Sequence, residues 1–276
     1  MKALDRKALD GHPLPPVVDG GKETKGKILV VAGSREVPGA GLLTAIAAMR
    51  AGAGKLKVAT AESIAQRIGV ALPEAMVVGL PDGKAAETLQ EVVPKVDAVV
   101  GGPGMANGDE CTAIAETLIA SDAAIALDAA VLHALRPIKA HRTTPPILLP
   151  HAGELASLLD CEEEEIEQDP IGCGRRAAEL YRSIVLVKGV TSHVVTPEGD
   201  CWAYEGGAPG LGVSGSGDVL AGIAGGLLAR GAEPLSALLW SVWLHGEAGT
   251  RLAQKIGPIG FLAREIADEV PALLPR

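Results

Sequence analysis

Short β-branched runs alternate with longer Ala- and Leu-rich stretches along most of this chain, and that alternation restricts the fold more than any other feature. Lys27–Val31, Lys55–Ala59, Ala75–Gly79, Asp97–Gly101, Ala124–Asp128 and Ile147–Pro150 read as strands. Gly41–Ala51, Asp109–Ala120, Ala129–Leu135 and His151–Leu159 read as the helices between them, the pattern of β-α units wound around a parallel sheet. The core must come from Ala, Val, Leu and Ile, because aromatic residues are 2% of a chain that is 47% hydrophobic. Small and branched side chains suit strands covered by helices on both faces. The shortage of aromatic faces, with a formal net charge of −9, argues against a nucleic-acid partner, which needs stacking platforms or a basic face.

Beyond a helix around Gly172–Tyr181 the rhythm changes. Ile184–Val187, His193–Thr196 and Cys201–Tyr204 are closely spaced, with Pro197-Glu198-Gly199-Asp200 as a turn. This predicts a hairpin and an antiparallel edge to an otherwise parallel sheet. Three helices should follow, over Ser216–Arg230, Pro234–Gln254 and Gly260–Leu274. No linker or repeat interrupts the pattern, so one α/β domain over 1–276 is expected, with 1–25 as an N-terminal extension. Met1 to Val18 has no secretory apolar core. The apolar stretches Val219–Leu228 and Leu235–Leu244 are each shorter than the roughly 20 residues a bilayer span requires, so no membrane partner is expected. Cys111, Cys161, Cys173 and Cys201 are scattered, as idle thiols in a reducing cytoplasm would be.

Glycines and polar residues gather just after the predicted strands, at Gly33-Ser34, Gly101–Gly104, Asp128 and Pro150-His151. In an open parallel sheet that edge is where ligands bind. The strongest constellation is GGAPGLGVSGSGDVLAG, Gly206–Gly222, a glycine-rich loop running into a helix. With no side chains at Gly215 and Gly217, backbone N–H groups of Gly215, Ser216 and Gly217 can close on an anion at the helix start. Asp218 in the first turn would then be placed to accept a proton from a substrate hydroxyl. On these residues alone, a flexible turn followed by a capping Asp accounts for the short motif equally well.

Other features are weaker. Lys188-Gly189-Val190-Thr191-Ser192 could hold a nucleotide, although an ordinary strand connection with an exposed Lys explains it too. His151 and Glu154 flank a helix start; Glu154 could hold a metal through water, or simply sit well in a first turn. Asp128 could bind a metal or a hydroxyl, or cap a helix. The Gly33-Ser34-Arg35 to Ala40 loop could accept a ligand but lacks the Lys-Ser/Thr ending of a P-loop. His245 reads as a satisfied core histidine, and His12, His133, His141 and His193 carry no assignment.

Three segments resemble the ADP/ATP-dependent NAD(P)H-hydrate dehydratases: GKILVVAGSREVPGAGLLTAIAAMRAGAGKLKVAT (Gly26–Thr60), PPILLPHAGELASLL (Pro145–Leu159) and VLVKGVTSHVVTPEGDCWAYEGGAPGLGVSGSGDVLAG (Val185–Gly222). The resemblance implies a three-layer α-β-α ribokinase-like fold and no fused epimerase domain. It implies a hydro-lyase that uses ADP or ATP with Mg²⁺ to phosphorylate the ring hydroxyl of a hydrated nicotinamide cofactor. Phosphate then leaves, restoring NAD(P)H. Carried over by position, the nucleotide would lie against Lys188, Gly189, Val190, Thr191, Ser192 and Gly217. The hydrate would contact Ala40, Gly104, His151 and Asp218, with Asp218 catalytic and weakened as a base by its helix start.

The chain departs from the family pattern at Ala130, where a second carboxylate often stands, at Gly102-Pro103-Gly104-Met105-Ala106, and at Leu211-Gly212-Val213-Ser214. By analogy with relatives of the fold, a homo-oligomer, up to a tetramer, is expected. The competing readings are a small-molecule kinase of the same fold, for a hydroxymethylpyrimidine, thiazole or sugar, and a nucleotide-binding regulator without catalysis.

Overall fold

Every strand among the described residues joins one ten-stranded sheet. The computed structural model describes residues 1–17, 21, 24–139 and 142–275, so residues 18–20 and 22–23 of the expected N-terminal extension fall outside it. The chain begins with β1 (Lys2–Ala3), β2 (Lys27–Val31), α1 (Pro38–Arg50), β3 (Lys55–Ala61), α2 (Glu62–Ala71), β4 (Ala75–Leu80) and α3 (Ala85–Val92). It continues with β5 (Ala98–Gly101), α4 (Glu110–Ile119), β6 (Ala124–Leu127), α5 (Ala130–His133), β7 (Ile147–Leu148), α6 (Ala152–Leu159), α7 (Glu163–Gln168) and α8 (Pro170–Leu180). The last part holds β8 (Ile184–Val187), β9 (Ser192–Val195), β10 (Cys201–Tyr204), α9 (Ser216–Ala229), α10 (Pro234–Lys255) and α11 (Ala263–Glu269).

The sheet order is β1-β10-β9-β8-β7-β6-β5-β2-β3-β4. Pairing is parallel except where β9 meets β8 and β10, so β9 alone runs against the rest. The antiparallel character expected at the edge is therefore one strand inside it. Lys2–Ala3 adds a further strand parallel to β10, and so covers that edge. A two-residue strand in a charged segment leaves no period to read.

Side chains alternate across β2: Ile28 and Val30 join the core beneath α1, α9, α10 and α11, while Leu29 and Val31 join the core beneath α3, α4, α5, α6 and α8. Two apolar layers on one sheet make the three-layer architecture. Helix α9 is buried on nearly every side, and its glycines permit this. A Cβ at Gly222 would stand 2.2 Å from Thr44 O on α1, and one at Gly225 would stand 2.1 Å from Val100 Cγ2 on β5. The helix can therefore lie between α1 and the sheet with its first turn at the strand ends.

The expected helix over Gly260–Leu274 is shorter, covering Ala263–Glu269 before a single 3₁₀ turn at Val270–Ala272. Gly260 has φ +100°, which is not helical, and Pro271 removes a donor at the far end. No helix among the described residues is long and apolar enough to cross a membrane.

Candidate functional site

Four strand ends and one helix start converge. After β5 the chain turns at Gly102, where a Cβ would collide with Asp128 O at 1.7 Å, so only glycine lets the β5 and β6 ends meet. Asp128 follows β6, His151 follows β7, and Lys188 follows β8; a further parallel bridge joins His151 to Lys188. The glycine-rich loop then delivers α9. Its cap residue Gly215 has φ +88° and no side chain to close the helix start.

Two of the first-turn N–H groups are occupied: Ser216 donates to Val213 O at 3.1 Å and Val219 to Gly215 O at 3.2 Å. Gly217 and Asp218 are left as the donors aimed beyond the helix end. Of the expected donors Gly215, Ser216 and Gly217, Ser216 thus uses its N–H locally, while that of Asp218 is open beside Gly217.

Lys188 is not the exposed lysine of an ordinary turn. Its Nζ donates to Asp128 Oδ1 at 2.8 Å and lies 3.5 Å from Glu154 Oε2. Burial alone would lower its pKa, but the two carboxylates outweigh it and hold the ammonium above its ordinary value. Asp128 Oδ1 also accepts from Ala129 N at 2.9 Å. Of the roles expected for Asp128, metal ligand, hydroxyl ligand or helix cap, the cap is not formed, since α5 carries no side-chain cap, and the carboxylate pairs with Lys188. The Asp128–Lys188 pair lies directly under α9: a Cβ at Gly217 would stand 3.8 Å from Asp128 Oδ2 and 3.9 Å from Lys188 Nζ.

Asp218 sits beside this pair. Its pKa is raised to about 6, first by burial and then by the nearby charge of Asp128, with Lys188 pulling the other way. The helix start was expected to weaken it as a base. Burial and the charge of Asp128 act in the opposite sense to the helix start, and a carboxyl raised to about 6 is better matched to general-base work than an ordinary one.

His245 on α10 places Nε2 at 3.0 Å from Ser216 Oγ and 3.1 Å from Ser216 O. Burial lowers its pKa to about 4, so the ring is neutral. A carbonyl only accepts, so the proton resides on Nε2. The core histidine is satisfied, as expected, but its partner is the first residue of α9.

His151 and Glu154 form a reciprocal cap on α6. Glu154 Oε2 accepts from His151 N at 2.8 Å, and His151 Nδ1 accepts from Glu154 N at 3.3 Å. With Oε1 also 3.4 Å from His151 Nε2, Glu154 has little left to offer a metal. Among the described residues no group of three or more His, Cys, Asp or Glu side chains could hold one. Magnesium would therefore come bound to nucleotide phosphates rather than to a cage of side chains.

Ala40, in the first turn of α1, faces Gly104: a Cβ on Gly104 would stand 2.3 Å from Ala40 Cβ. The α1 side reaches α9 through Leu43, whose Cδ1 would lie 2.5 Å from a Cβ on Gly215. The turn Gly189, Val190, Thr191 and Ser192 closes β8 onto β9, with Val190 fully exposed. His133 bonds Ser157 Oγ at 3.1 Å away from this edge, His12 stacks edge-on with Trp202, and His193 is buried on β9. His141 lies outside the described residues. Nothing in spacing reveals the Asp128–Lys188 pair or the His245–Ser216 contact, which join positions 60 and 29 residues apart.

Residues 28–272 match the family described as NAD(P)H-hydrate dehydratase. The chain belongs to this family. Over its full length it is 43% identical to the ADP-dependent (S)-NAD(P)H-hydrate dehydratase of Xanthomonas campestris pv. campestris, covering 97% of that protein. It is 36% identical over 93% of its length to the bifunctional NAD(P)H-hydrate repair enzyme of Gloeobacter violaceus, of which it spans 51%. Among solved structures it resembles the ADP/ATP-dependent NAD(P)H-hydrate dehydratase of Bacillus subtilis co-crystallized with ATP/Mg²⁺. The TM-score is 0.88 at 28% identity, covering 99% of this chain and 97% of that one. A ribokinase-like protein of Enterococcus faecalis, 24% identical, has the same fold with a TM-score of 0.84. The three-layer sheet of this chain is thus the ribokinase-like one that the resemblance implied.

Proposed function

We propose that this chain is the ADP- or ATP-dependent dehydratase of (S)-NAD(P)H hydrate, and that the start of α9 is its reaction centre. The observation that carries this is a carboxyl raised to about 6, Asp218, placed beside two outward N–H donors and the Lys188–Asp128 pair. A general base with a pKa near the working pH is efficient, and preorganised donors at a helix start suit a phosphoryl group in transfer.

In this reading Asp218 accepts the proton of the ring hydroxyl as its oxygen attacks the terminal phosphorus of the nucleotide. The bond to the bridging oxygen breaks, and ADP or AMP departs. Gly217 and Asp218 N–H groups hold the phosphoryl oxygens. The ring C–O bond then breaks with release of phosphate, and loss of a proton from the neighbouring ring carbon restores the dihydropyridine. The turn Lys188–Ser192 holds the nucleotide mostly through its backbone, because the Lys188 side chain is committed to Asp128. Ala40, Gly104 and His151 shape the pocket for the hydrate. Magnesium bound to the nucleotide would neutralise phosphate charge as it moves.

Free Cys111, Cys161, Cys173 and Cys201 support a reducing cytoplasmic setting. Exposed Ile256, Ile259 and Leu262 support self-association into the homo-oligomer, to be sized by light scattering. The deciding experiment mixes enzyme, NADH hydrate and Mg²⁺ with ADP or ATP and follows the dihydronicotinamide absorbance. Growth that needs nucleotide and disappears in Asp218→Asn supports the reading. A flat trace from folded protein that binds nucleotide overturns it in favour of a small-molecule kinase.

A further inference from the structure

A cleft of about 290 Å³ opens at the ends of β2 and β3, on the sheet face covered by α3 and α4. It lies at the small end of ligand pockets, which run from about 300 Å³, and so has room for part of a dinucleotide. None of the residues assigned above to the nucleotide or the reacting ring lies within it. Its rim is nevertheless continuous with theirs. Met105 lines the cleft and directly follows Gly104. Gly33, on the opposite rim, donates its N–H to Pro103 O at 2.8 Å.

We propose that this cleft binds the adenosine half of the hydrated dinucleotide while its nicotinamide half lies at Gly104, His151 and Asp218. The assignment rests on the dehydratase reading and extends it. Three observations support it. Direction is the first: from Asp128 on β6 the sheet steps through β5 to β2 and β3, and strands about 4.8 Å apart place the cleft some 10–15 Å along the edge. A dinucleotide has its second half at such a remove from its reacting ring. The adenine of ADP or ATP is accounted for on the other side, at the β8–β9 turn.

Chemistry is the second observation. The floor is apolar, with Val31, Leu80 and Ile114 beneath, which suits the face of a purine. Polar groups line it as well: exposed Asn107 and the Ser34 hydroxyl, which accepts from Val37 N and keeps its proton to donate, can exchange hydrogen bonds with ring nitrogens and hydroxyls. Charge is the third. Asp82, Asp109 and Glu110 line the cleft with no lysine or arginine among the lining residues. Carboxylates accept from ribose hydroxyls and repel phosphate, so the uncharged nucleoside end of NADH hydrate fits here better than the 2′-phosphorylated end of NADPH hydrate, and the pyrophosphate stays outside, nearer Gly104.

The test compares NADH hydrate with the hydrate of reduced nicotinamide mononucleotide, which has the same reacting ring and no adenosine. Two variants narrow the cleft from exposed positions on opposite lips, Ala106→Trp and Asp82→Trp, with circular dichroism to confirm folding. Each is expected to raise KM for NADH hydrate on the order of tenfold with kcat nearly unchanged, and to leave both constants for the mononucleotide hydrate as in the wild type. The cleft assignment is overturned, with the dehydratase intact, if neither variant alters KM for NADH hydrate or if both substrates suffer equally. If wild-type enzyme restores neither substrate, the dehydratase reading itself fails and the cleft assignment goes with it.

Discussion

Two helices begin at the same edge of the sheet and are finished in opposite ways. At α6 the first turn is closed by its own residues, His151 and Glu154 satisfying each other's backbone N–H groups. At α9 the cap is Gly215, with no side chain, and the first-turn carboxylate Asp218 is held beside Asp128 instead of folding back on the helix. A sealed start stabilises the fold by roughly 0.5–2 kcal/mol. An open one gives up that stability and keeps its donors for an incoming anion. In the proposed reading α9 is the reacting start, whereas α6 keeps Glu154 3.5 Å from Lys188 and lends His151 to the hydrate pocket.

Asp218→Asn should break the contrast most. Turnover is expected to fall by about 10²–10⁴-fold, while the folded state gains stability at pH 8. Asp218 has a folded pKa of about 6 against an ordinary 3.8. Its favourable contribution is therefore complete below 3.8 and lost as pH rises through 6, where the ionised group becomes a burden of about 1–3 kcal/mol. Urea unfolding of both proteins should show a gap at pH 8 that closes at pH 4.

Lys188→Met comes next. It leaves Asp128 and Glu154 buried without their cation, which should cost about 3–5 kcal/mol, and adding Asp128→Asn should recover much of it. Because Lys188 opposes the rise at Asp218, the acid limb of the pH–rate profile should also move above its wild-type position near pH 6.

At α6, His151→Ala should lose about 0.5–2 kcal/mol of stability, and His151→Asn, which can still cap, should lose little; thermal melts decide. The smallest effect is expected at His245→Gln, where a weakened hold on Ser216 should slow turnover only several-fold, about 0.5–1.5 kcal/mol. With a folded pKa of about 4, below the ordinary 6.5, neutral His245 contributes stability that is complete above 6.5 and lost as pH falls toward 4. The variant should lack that acid sensitivity in melts across this window.

The sequence made most of the strand edge legible, because glycines after β-branched runs mark where a parallel sheet must receive ligands. It hid elements with little apolar pattern. Helix α2 buries only Ile64 and Ile68, and α7, EEEIEQ, only Ile166, too thin a stripe to separate from loop. Helix α3, with Ala85 and Leu89 inside, escaped for the same reason. At the site, residue types were readable but their pairing was not. Lys188 looked like a solvent-facing lysine until β6 and β8 were seen to bring Asp128 against it. The rise at Asp218 was hidden for a related reason: a helix start is visible in sequence, whereas burial and a neighbouring carboxylate from another strand are not.

The glycines of α9 have one more consequence. Gly222 and Gly226 set its backbone against Thr44 and Ala48 of α1 with no side chain between. One rod carries Asp218 and the other carries Ala40. Joined along their lengths, they leave few rotamers whose rearrangement could slide one end past the other. In the proposed reading the gap between a hydroxyl bound beside Ala40 and the acceptor Asp218 would therefore be gauged by two fused struts rather than by a hinge. In the proposed reading, the placement of the hydrate's pocket against its base would be largely completed when the protein folds, so that part of the orientational cost need not be met again at each turnover.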